Sequence, residues 1–189
     1  PEHAKLFSGE VSSWDSPRNP LDRVEEYARS NPVGANIPTE LPDGSIVAGS
    51  RLGTVLLRSP EGRWRGFRSN SLESIAYVLP VSLPDADFLA VGEFSTFLKK
   101  SRQDNLLVPM DSGDLPPGNL LYIDGNEKIG WYIAHQQGNQ IALYHSAKLE
   151  QGKWTAVRKE SIAAGFWSGG NAFWIWRTKT GLAYAVSQG

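Results

Sequence analysis

The amino-acid sequence has 189 residues and lacks cysteine altogether. That absence excludes disulfide bonds, thiolate zinc sites and cysteine nucleophiles. The chain also lacks any run of 18 apolar residues, so it predicts no transmembrane helix. Its 19 basic and 20 acidic side chains leave a net charge of −1, and no global field then draws the chain to nucleic acid. We therefore expect no nucleic-acid partner and no membrane span.

Glycine, proline and aromatic residues are abundant. Nineteen glycines and twelve prolines interrupt the chain at short intervals, together with seven tryptophans, six tyrosines and seven phenylalanines. Frequent turns between aromatic and β-branched runs favour an all-β protein. The length and the 40% hydrophobic content suit one domain with a sizeable core. Because the first residue is proline, we expect a processed chain or a piece of a longer protein. The sequence leaves the compartment open and slightly favours a secreted or periplasmic location. It also leaves the oligomeric state open.

An internal period of about 42 residues runs along most of the chain. In each unit an apolar run, a turn and a second apolar run recur in the same order. The equivalent positions Ile46, Phe88, Gly130 and Phe173 are 42, 42 and 43 residues apart. Tandem units of this size, each with four short strands, are typical of β-propeller blades. The sequence thus predicts one all-β propeller domain, with four blades over residues 34–68, 75–110, 119–157 and 162–189.

The last unit is one strand short, because only three residues follow Val186. A strand within residues 3–14 is predicted to complete this blade beside residues 182–186. Such a pairing would close the ring and remove an exposed strand edge.

A short helix interrupts the β pattern near the N-terminus. Leu21, Val24 and Ala28 follow helical spacing, and Pro32 ends the run. They predict an amphipathic helix over residues 20–30. It would cover one end of the ring or a blade edge, or else dock a partner.

Residues 45–64 contain a strand, a glycine turn, a second strand and a polar turn that leads to Trp64. This order resembles the blade repeat of Asp-box (BNR) and photosystem-assembly-factor-like propellers. The matching residues are Val47-Ala48-Gly49, Gly53, Val55-Leu56, Ser59, Glu61-Gly62 and Trp64, with Glu61 where the family has aspartate. The resemblance implies a propeller in which the box is structural, so it implies no activity. By repeat position, we expect Trp64 and Trp154 to be mostly buried.

Loops at one mouth of the predicted ring are the candidate site, because propeller strands hold such loops rigidly. The loop over residues 166–171 differs from the others, since aromatic residues there meet a polar, glycine-rich turn. The equivalent loops are residues 40–44, 82–87 and 124–128. The candidate ligand-binding residues are Trp167, Ser168, Asn171, Asp85, Asp87, Asp124 and Asn126, with Asp43 beside them. This acidic, amide-rich set suits a polyhydroxylated or cationic ligand, so we expect a non-catalytic binding or scaffold module for a protein or a glycan.

Two enzymatic alternatives stay open. A sialidase-type glycoside hydrolase needs arginines from separate blades, for which Arg102 and Arg177 are spaced partners of the arginines in the first unit. An ADP-ribosyltransferase-like toxin domain needs an arginine, a Ser-Thr strand and a glutamate in that order. The residues that satisfy this order are Arg51, Ser95-Thr96 and Glu127 or Glu150. No phosphate loop and no metal-ligand spacing of the histidines occurs, so no cofactor and no metal are predicted.

Overall fold

The computed structural model describes residues 36–102, 107–161, 173–178 and 182–186. Strands dominate this part of the chain, and its described helical content is a single 3-10 turn at Leu149–Gln151. The strands pair in chain order, each antiparallel to the next, in three four-stranded sheets and one hairpin. The first sheet holds β1 (Thr39–Glu40), β2 (Ile46–Gly49), β3 (Thr54–Arg58) and β4 (Trp64–Arg68), and the second holds β5 (Ile75–Pro80), β6 (Ala86–Gly92), β7 (Phe97–Ser101) and β8 (Leu107–Pro109). The third holds β9 (Asn119–Asn126), β10 (Gly130–Gln137), β11 (Gln140–Ser146) and β12 (Thr155–Ser161), and the hairpin holds β13 (Phe173–Arg177) and β14 (Leu182–Val186).

The predicted all-β class and the four-stranded units are confirmed for these three sheets. Three of the repeat positions lie on the second strand of a four-stranded sheet, Ile46 in β2, Phe88 in β6 and Gly130 in β10, and Phe173 begins β13 of the hairpin. The predicted helix at residues 20–30 and the predicted strand within residues 3–14 lie outside the described residues.

The middle sheet is buried on both faces, because the first sheet packs against one face and the third sheet against the other. Side chains alternate between these two faces along each strand. In β6, Phe88 and Ala90 pack against the first sheet, whereas Leu89 and Val91 pack against the third. A register shift in β5, between Ile75 and the next paired residue, places Ile75 on the same side as Phe88. The first core consists of Val47, Val55, Phe67, Ile75, Val78, Phe88, Ala90, Leu98 and Leu107. The second core consists of Tyr77, Leu89, Val91, Phe97, Leu115, Leu120, Tyr122, Ile123, Trp131, Ile133, Ala134, Leu149 and Trp154.

The first strand of each sheet makes the contacts between sheets. Strand β5 packs against β1, β2 and β3, and β9 packs against β5 and β6. The backbones approach closely at Gly49 in β2, where a Cβ atom would lie 2.3 Å from the carbonyl oxygen of Ile75 in β5. The three sheets therefore stack face to face in chain order.

The two tryptophans at equivalent repeat positions are buried to different extents. Trp154 is 7% exposed and belongs to the second core, as expected from the repeat. Trp64 begins the outer strand β4 and is only half-buried. Repeat position alone therefore does not decide how deeply a side chain is buried.

Candidate binding surfaces at the two ends of the sheets

The three stacked sheets have two distinct ends. Strands β1, β5 and β9 all begin at one of them, which we call the entry end. Backbone hydrogen bonds join the chain there, from Ile75 N to Ser50 O at 2.9 Å and from Ser95 N to Gly118 O at 2.6 Å. Since the strands are antiparallel, the loops that follow β1, β5 and β9 lie at the opposite end, which we call the far end. All the described loops of the predicted site are at the far end.

The predicted site residues Asp85 and Asp87 face basic residues at the end of β7. Asp85 forms an ion pair with Lys99, and its hydrogen bond to that ammonium holds the pKa of the Asp85 carboxyl below its usual value. Asp87 lies 3.4 Å from Lys100 Nζ and 3.2 Å from Arg102 Nε. The antiparallel pairing of β6 with β7 brings these charges together. Both carboxylates are therefore engaged within the second sheet.

Asp124 and Asn126 lie at the end of β9, and their side chains bond to their own turn. Asp124 is 3% exposed, and its carboxylate accepts hydrogen bonds from Gly125 N at 2.7 Å and Tyr122 Oη at 3.4 Å. The Asn126 Oδ1 atom accepts from the backbone N–H groups of Lys128 and Ile129, at 2.9 and 3.1 Å. This geometry is that of an asparagine that stabilises a tight turn.

A tyrosine pair extends this polar group into the second core. The rings of Tyr77 and Tyr122 lie 4.4 Å apart between their centroids. Burial, together with Tyr77 and Asp124, raises the pKa of the Tyr122 hydroxyl well above its ordinary value. The hydroxyl therefore stays protonated and donates to the buried carboxylate of Asp124.

A ligand site at the far end stays a prediction. Asp43 makes the same kind of turn as Asn126, since its Oδ1 atom accepts from Ser45 N at 2.9 Å. Trp167, Ser168 and Asn171 lie outside the described residues. Of the described residues in this predicted set, Asp43, Asp124 and Asn126 accept hydrogen bonds from their own turns, and Asp85 and Asp87 form ion pairs within the second sheet.

The histidines do not form a metal site in the described part of the chain. His135 pairs across the sheet with Ala142, and His145 pairs with Tyr132, so the two imidazoles are not neighbours. His135 is 2% exposed and bonds to Pro116 O at 2.9 Å, and burial lowers its pKa. Among the described residues, no cluster of three or more His, Asp or Glu side chains could hold a metal ion. Nor is any helix there long and apolar enough to cross a membrane.

The entry end exposes large apolar side chains. Leu72 and Phe94 are 77% and 76% exposed, Ile37 is 53% exposed and Leu52 is 37% exposed. Each lies in a turn or connection at the entry end. The carboxylates of Asp43, Asp85, Asp87 and Asp124, by contrast, lie at the far end. We call Leu52, Leu72 and Phe94 the apolar turns.

Backbone hydrogen bonds join these turns into one surface. Gly53, next to Leu52, donates its N–H to Glu73 O at 2.8 Å, beside Leu72. Its φ of 61° and the 2.1 Å that would separate a Cβ from Ser71 O require glycine there. Glu93, next to Phe94, donates its N–H to Ser74 O at 2.9 Å. Leu52, Leu72 and Phe94 therefore project from adjacent, mutually bonded segments.

Phe94 has an unusual backbone conformation. The φ angles of Phe94 and Ser95 are 50° and 58°, and Thr96 N donates to Glu93 O at 3.0 Å. Positive φ at both central residues defines a type I′ turn, which usually contains Asn-Gly. A phenylalanine there is sterically unfavourable and, being exposed, gains little packing within the described chain. Ser95 lies in this turn and not on a strand, unlike the Ser-Thr strand of an ADP-ribosyltransferase.

Comparisons with known proteins do not point to a function. No protein-family model matches the chain, and no curated protein or solved structure matches it significantly. The resemblance to Asp-box propellers therefore rests on the sequence pattern alone.

Proposed function

We propose that the chain is a non-catalytic binding module of propeller architecture that docks a protein partner on its entry end. The observation that carries this proposal is Phe94, a large side chain 76% exposed on a sterically unfavourable turn. Strain of this kind is often found where a side chain serves a ligand or partner.

The propeller part of the proposal rests on how the sheets stack. Three consecutive four-stranded meanders contact one another through β1, β2, β5 and β9, as blades do through their inner strands. The hairpin of β13 and β14 fits the middle of a fourth blade. Residues 162–167 would supply its first strand, and residues 3–14 its last.

Ring closure is testable by truncation. Deleting residues 1–14 should lower the melting temperature by about 5 °C, because an open edge destabilises a domain of this size by about 1–2 kcal/mol. Amide exchange of residues 182–186 should become faster in the truncated chain. A truncated chain with unchanged melting temperature and unchanged exchange at β14 would contradict closure by this strand.

The chemistry of the entry end favours a protein over a glycan. Protein interfaces are anchored by a few large side chains, especially aromatic ones, in the centre of a patch. Phe94 is such an anchor, and Leu52 and Leu72 lie on the neighbouring segments. Glu73 and Glu93 flank them, so the complementary partner presents apolar side chains with a basic residue beside them.

Site-specific photo-crosslinking tests this function. A p-benzoylphenylalanine in place of Phe94 should give one discrete protein adduct in cells of the source organism. The same probe in place of Val108, which is 37% exposed on the outer strand β8, is the control. The adduct partner, once purified, should bind the chain and lose affinity at least about 30-fold with Phe94→Asn. Equal labelling from positions 94 and 108 would refute the proposal. An unchanged affinity of the partner for the Phe94→Asn variant would also refute it.

A further inference from the structure

We infer that His135 positions the turn at Phe94 and Ser95, and that protonation of its imidazole releases this turn. The two are joined by residues 116–118, which lead into β9 at the entry end and which we call the diproline connection. The consequence for a protein partner rests on the proposed function. The link between His135 and the turn is intramolecular and does not depend on a partner.

The turn at Phe94 and Ser95 is held by hydrogen bonds to the start of the third sheet. Ser95 N donates to Gly118 O at 2.6 Å, and Gly118 N donates to Ser95 Oγ at 3.2 Å. Phe94 N donates to Oδ1 of Asn119 at 3.2 Å. Backbone in the left-handed region persists only where the surrounding structure holds it there. Since the Phe94 side chain is exposed, these bonds are what fixes the strained turn.

The diproline connection packs against the imidazole of His135. The Nε2 atom donates to Pro116 O at 2.9 Å, and a Cβ atom on Gly118 would lie 2.5 Å from the same nitrogen. Because a carbonyl oxygen only accepts, Nε2 carries the proton of the neutral imidazole and Nδ1 would take the second one. Pro116 and Pro117 have no N–H to donate to a sheet. The position of the connection therefore depends on His135 on one side and on Ser95 on the other.

The described surroundings of the imidazole contain no counter-charge. His135 pairs across the sheet with Leu120 of β9 and with Ala142 of β11. Tyr144 of β11 presents its phenol ring at a steep angle, with 5.6 Å between the ring centroids. The remaining neighbour is the diproline connection, which has no ionisable side chain. An imidazolium ion at this position would therefore be buried among neutral groups.

Protonation of His135 and closure of the connection oppose each other. Burial lowers the pKa of His135 below its ordinary value of about 6.5, although the carbonyl groups of Pro116 and Pro117 act in the opposite direction. Opening of the connection exposes the imidazole to water and restores the ordinary pKa. The open form therefore binds the extra proton more tightly. Each pH unit below about 6.5 raises the ratio of open to closed forms by up to about tenfold, until the pKa of the closed form is reached.

Opening of the connection acts on the apolar turns through Gly118. Once Gly118 leaves Ser95, the strained turn relaxes, and Phe94 no longer projects from the segment bonded beside Leu72. A partner that requires the closed form then binds with an apparent affinity reduced in proportion to the closed fraction. Acidification should therefore weaken docking at the entry end.

Amide hydrogen exchange in the purified chain tests the inference without a partner. The protection factor of Ser95 N–H, corrected for intrinsic exchange, should fall about five- to tenfold between about pH 7.5 and about pH 5.5. The control is Ser59 N–H, which donates to Arg63 O at 2.7 Å in the turn between β3 and β4. Its protection should change less than about twofold. Ser95 should also stay at least about tenfold less protected than the core amide of Ile75, because its opening is local.

Matched histidine substitutions assign the effect. His135→Gln keeps a donor for Pro116 O but does not titrate, so the fall in Ser95 protection should disappear. His145→Gln is the control, because His145 lies on the neighbouring strand β11, bonds to Ile129 O at the far end and should leave the fall unchanged. An NMR titration of the unaltered chain needs no variant and should give His135 a pKa below about 6.5.

Several results would overturn the inference. They are a Ser95 protection factor that does not change with pH, a fall that persists in His135→Gln, and a titration of His135 at or above its ordinary pKa. Equal protection of Ser95 and Ile75 would also overturn it, because the opening would then be global unfolding. A pH-dependent turn in a chain that gives no photo-adduct at Phe94 supports the inference and removes the proposed function. A specific photo-adduct with a turn that does not respond to pH does the reverse.

Discussion

Replacing Trp154 with alanine should lower the free energy of unfolding by about 3–5 kcal/mol. The indole is 7% exposed and packs in the second core, between the second and third sheets. Its backbone N–H donates to the Asp114 carboxylate at 2.7 Å. Because alanine keeps this hydrogen bond, the backbone at position 154 stays in place and does not fill the cavity that the missing indole leaves. Urea unfolding followed by circular dichroism measures the loss.

Two variants serve as controls for this prediction. Trp64→Ala removes the half-buried tryptophan at the same repeat position and should cost no more than about 2 kcal/mol. Trp154→Phe should cost less than half as much as Trp154→Ala, because it fills most of the cavity. It also removes the indole Nε1, a buried donor without a partner in the described part of the chain. Equal losses of unfolding free energy for Trp64→Ala and Trp154→Ala would contradict the deeper burial of Trp154.

The strands were predictable from sequence because each hairpin is local. An apolar run, a turn and a second apolar run suffice to identify β2 with β3, or β10 with β11, and a fixed period repeats the signal. The depth of each side chain was less predictable. Trp64 and Trp154 share a repeat position, but Trp64 opens an outer strand, whereas Trp154 lies just before β12 and bonds to the connection between the second and third sheets.

The far-end residues illustrate a similar limit. Sequence reasoning placed Asp85, Asp87 and Asp124 in or beside equivalent loops, and the structure puts those loops at the same end. Their partners depend on register, which a sequence does not show. Pairing of β6 with β7 aligns Phe88 with Lys100, and the same pairing sets Lys100 and Arg102 beside Asp87.

The entry end was missed because its signal is conformational. Phe94 and Ser95 read as an ordinary link between two apolar runs, and nothing in a Phe-Ser pair indicates positive φ. The available clue was the length of the connection: a two-residue hairpin loop requires a type I′ or II′ turn, for which phenylalanine is a poor residue. Leu72 lies in a connection that is fixed by the hydrogen bond from Gly53 N to Glu73 O. Because this is a tertiary contact, the sequence alone does not show that Leu72 is exposed.

Phe94→Asn should stabilise the fold while it weakens partner binding. Bulky L-residues in the left-handed region cost about 1–2 kcal/mol, and asparagine tolerates that region better. Since Phe94 is 76% exposed, its removal forfeits little packing. We expect a gain of about 1 kcal/mol in unfolding free energy, which raises the melting temperature by about 2–4 °C. We expect the affinity for the partner to fall at least about 30-fold.

Two substitutions in the same turn separate strain from recognition. Phe94→Ala also removes the aromatic ring but leaves an ordinary L-residue at positive φ, so binding should be lost with little gain in stability. Ser95→Gly relieves backbone strain yet removes the Oγ atom that accepts from Gly118 N at 3.2 Å, so the two effects offset each other and the partner should still bind. Thermal unfolding and titration of the purified partner measure both quantities. If Phe94→Asn destabilises the chain by more than about 1 kcal/mol, Phe94 packs within this protein and the strained turn has no need of a partner.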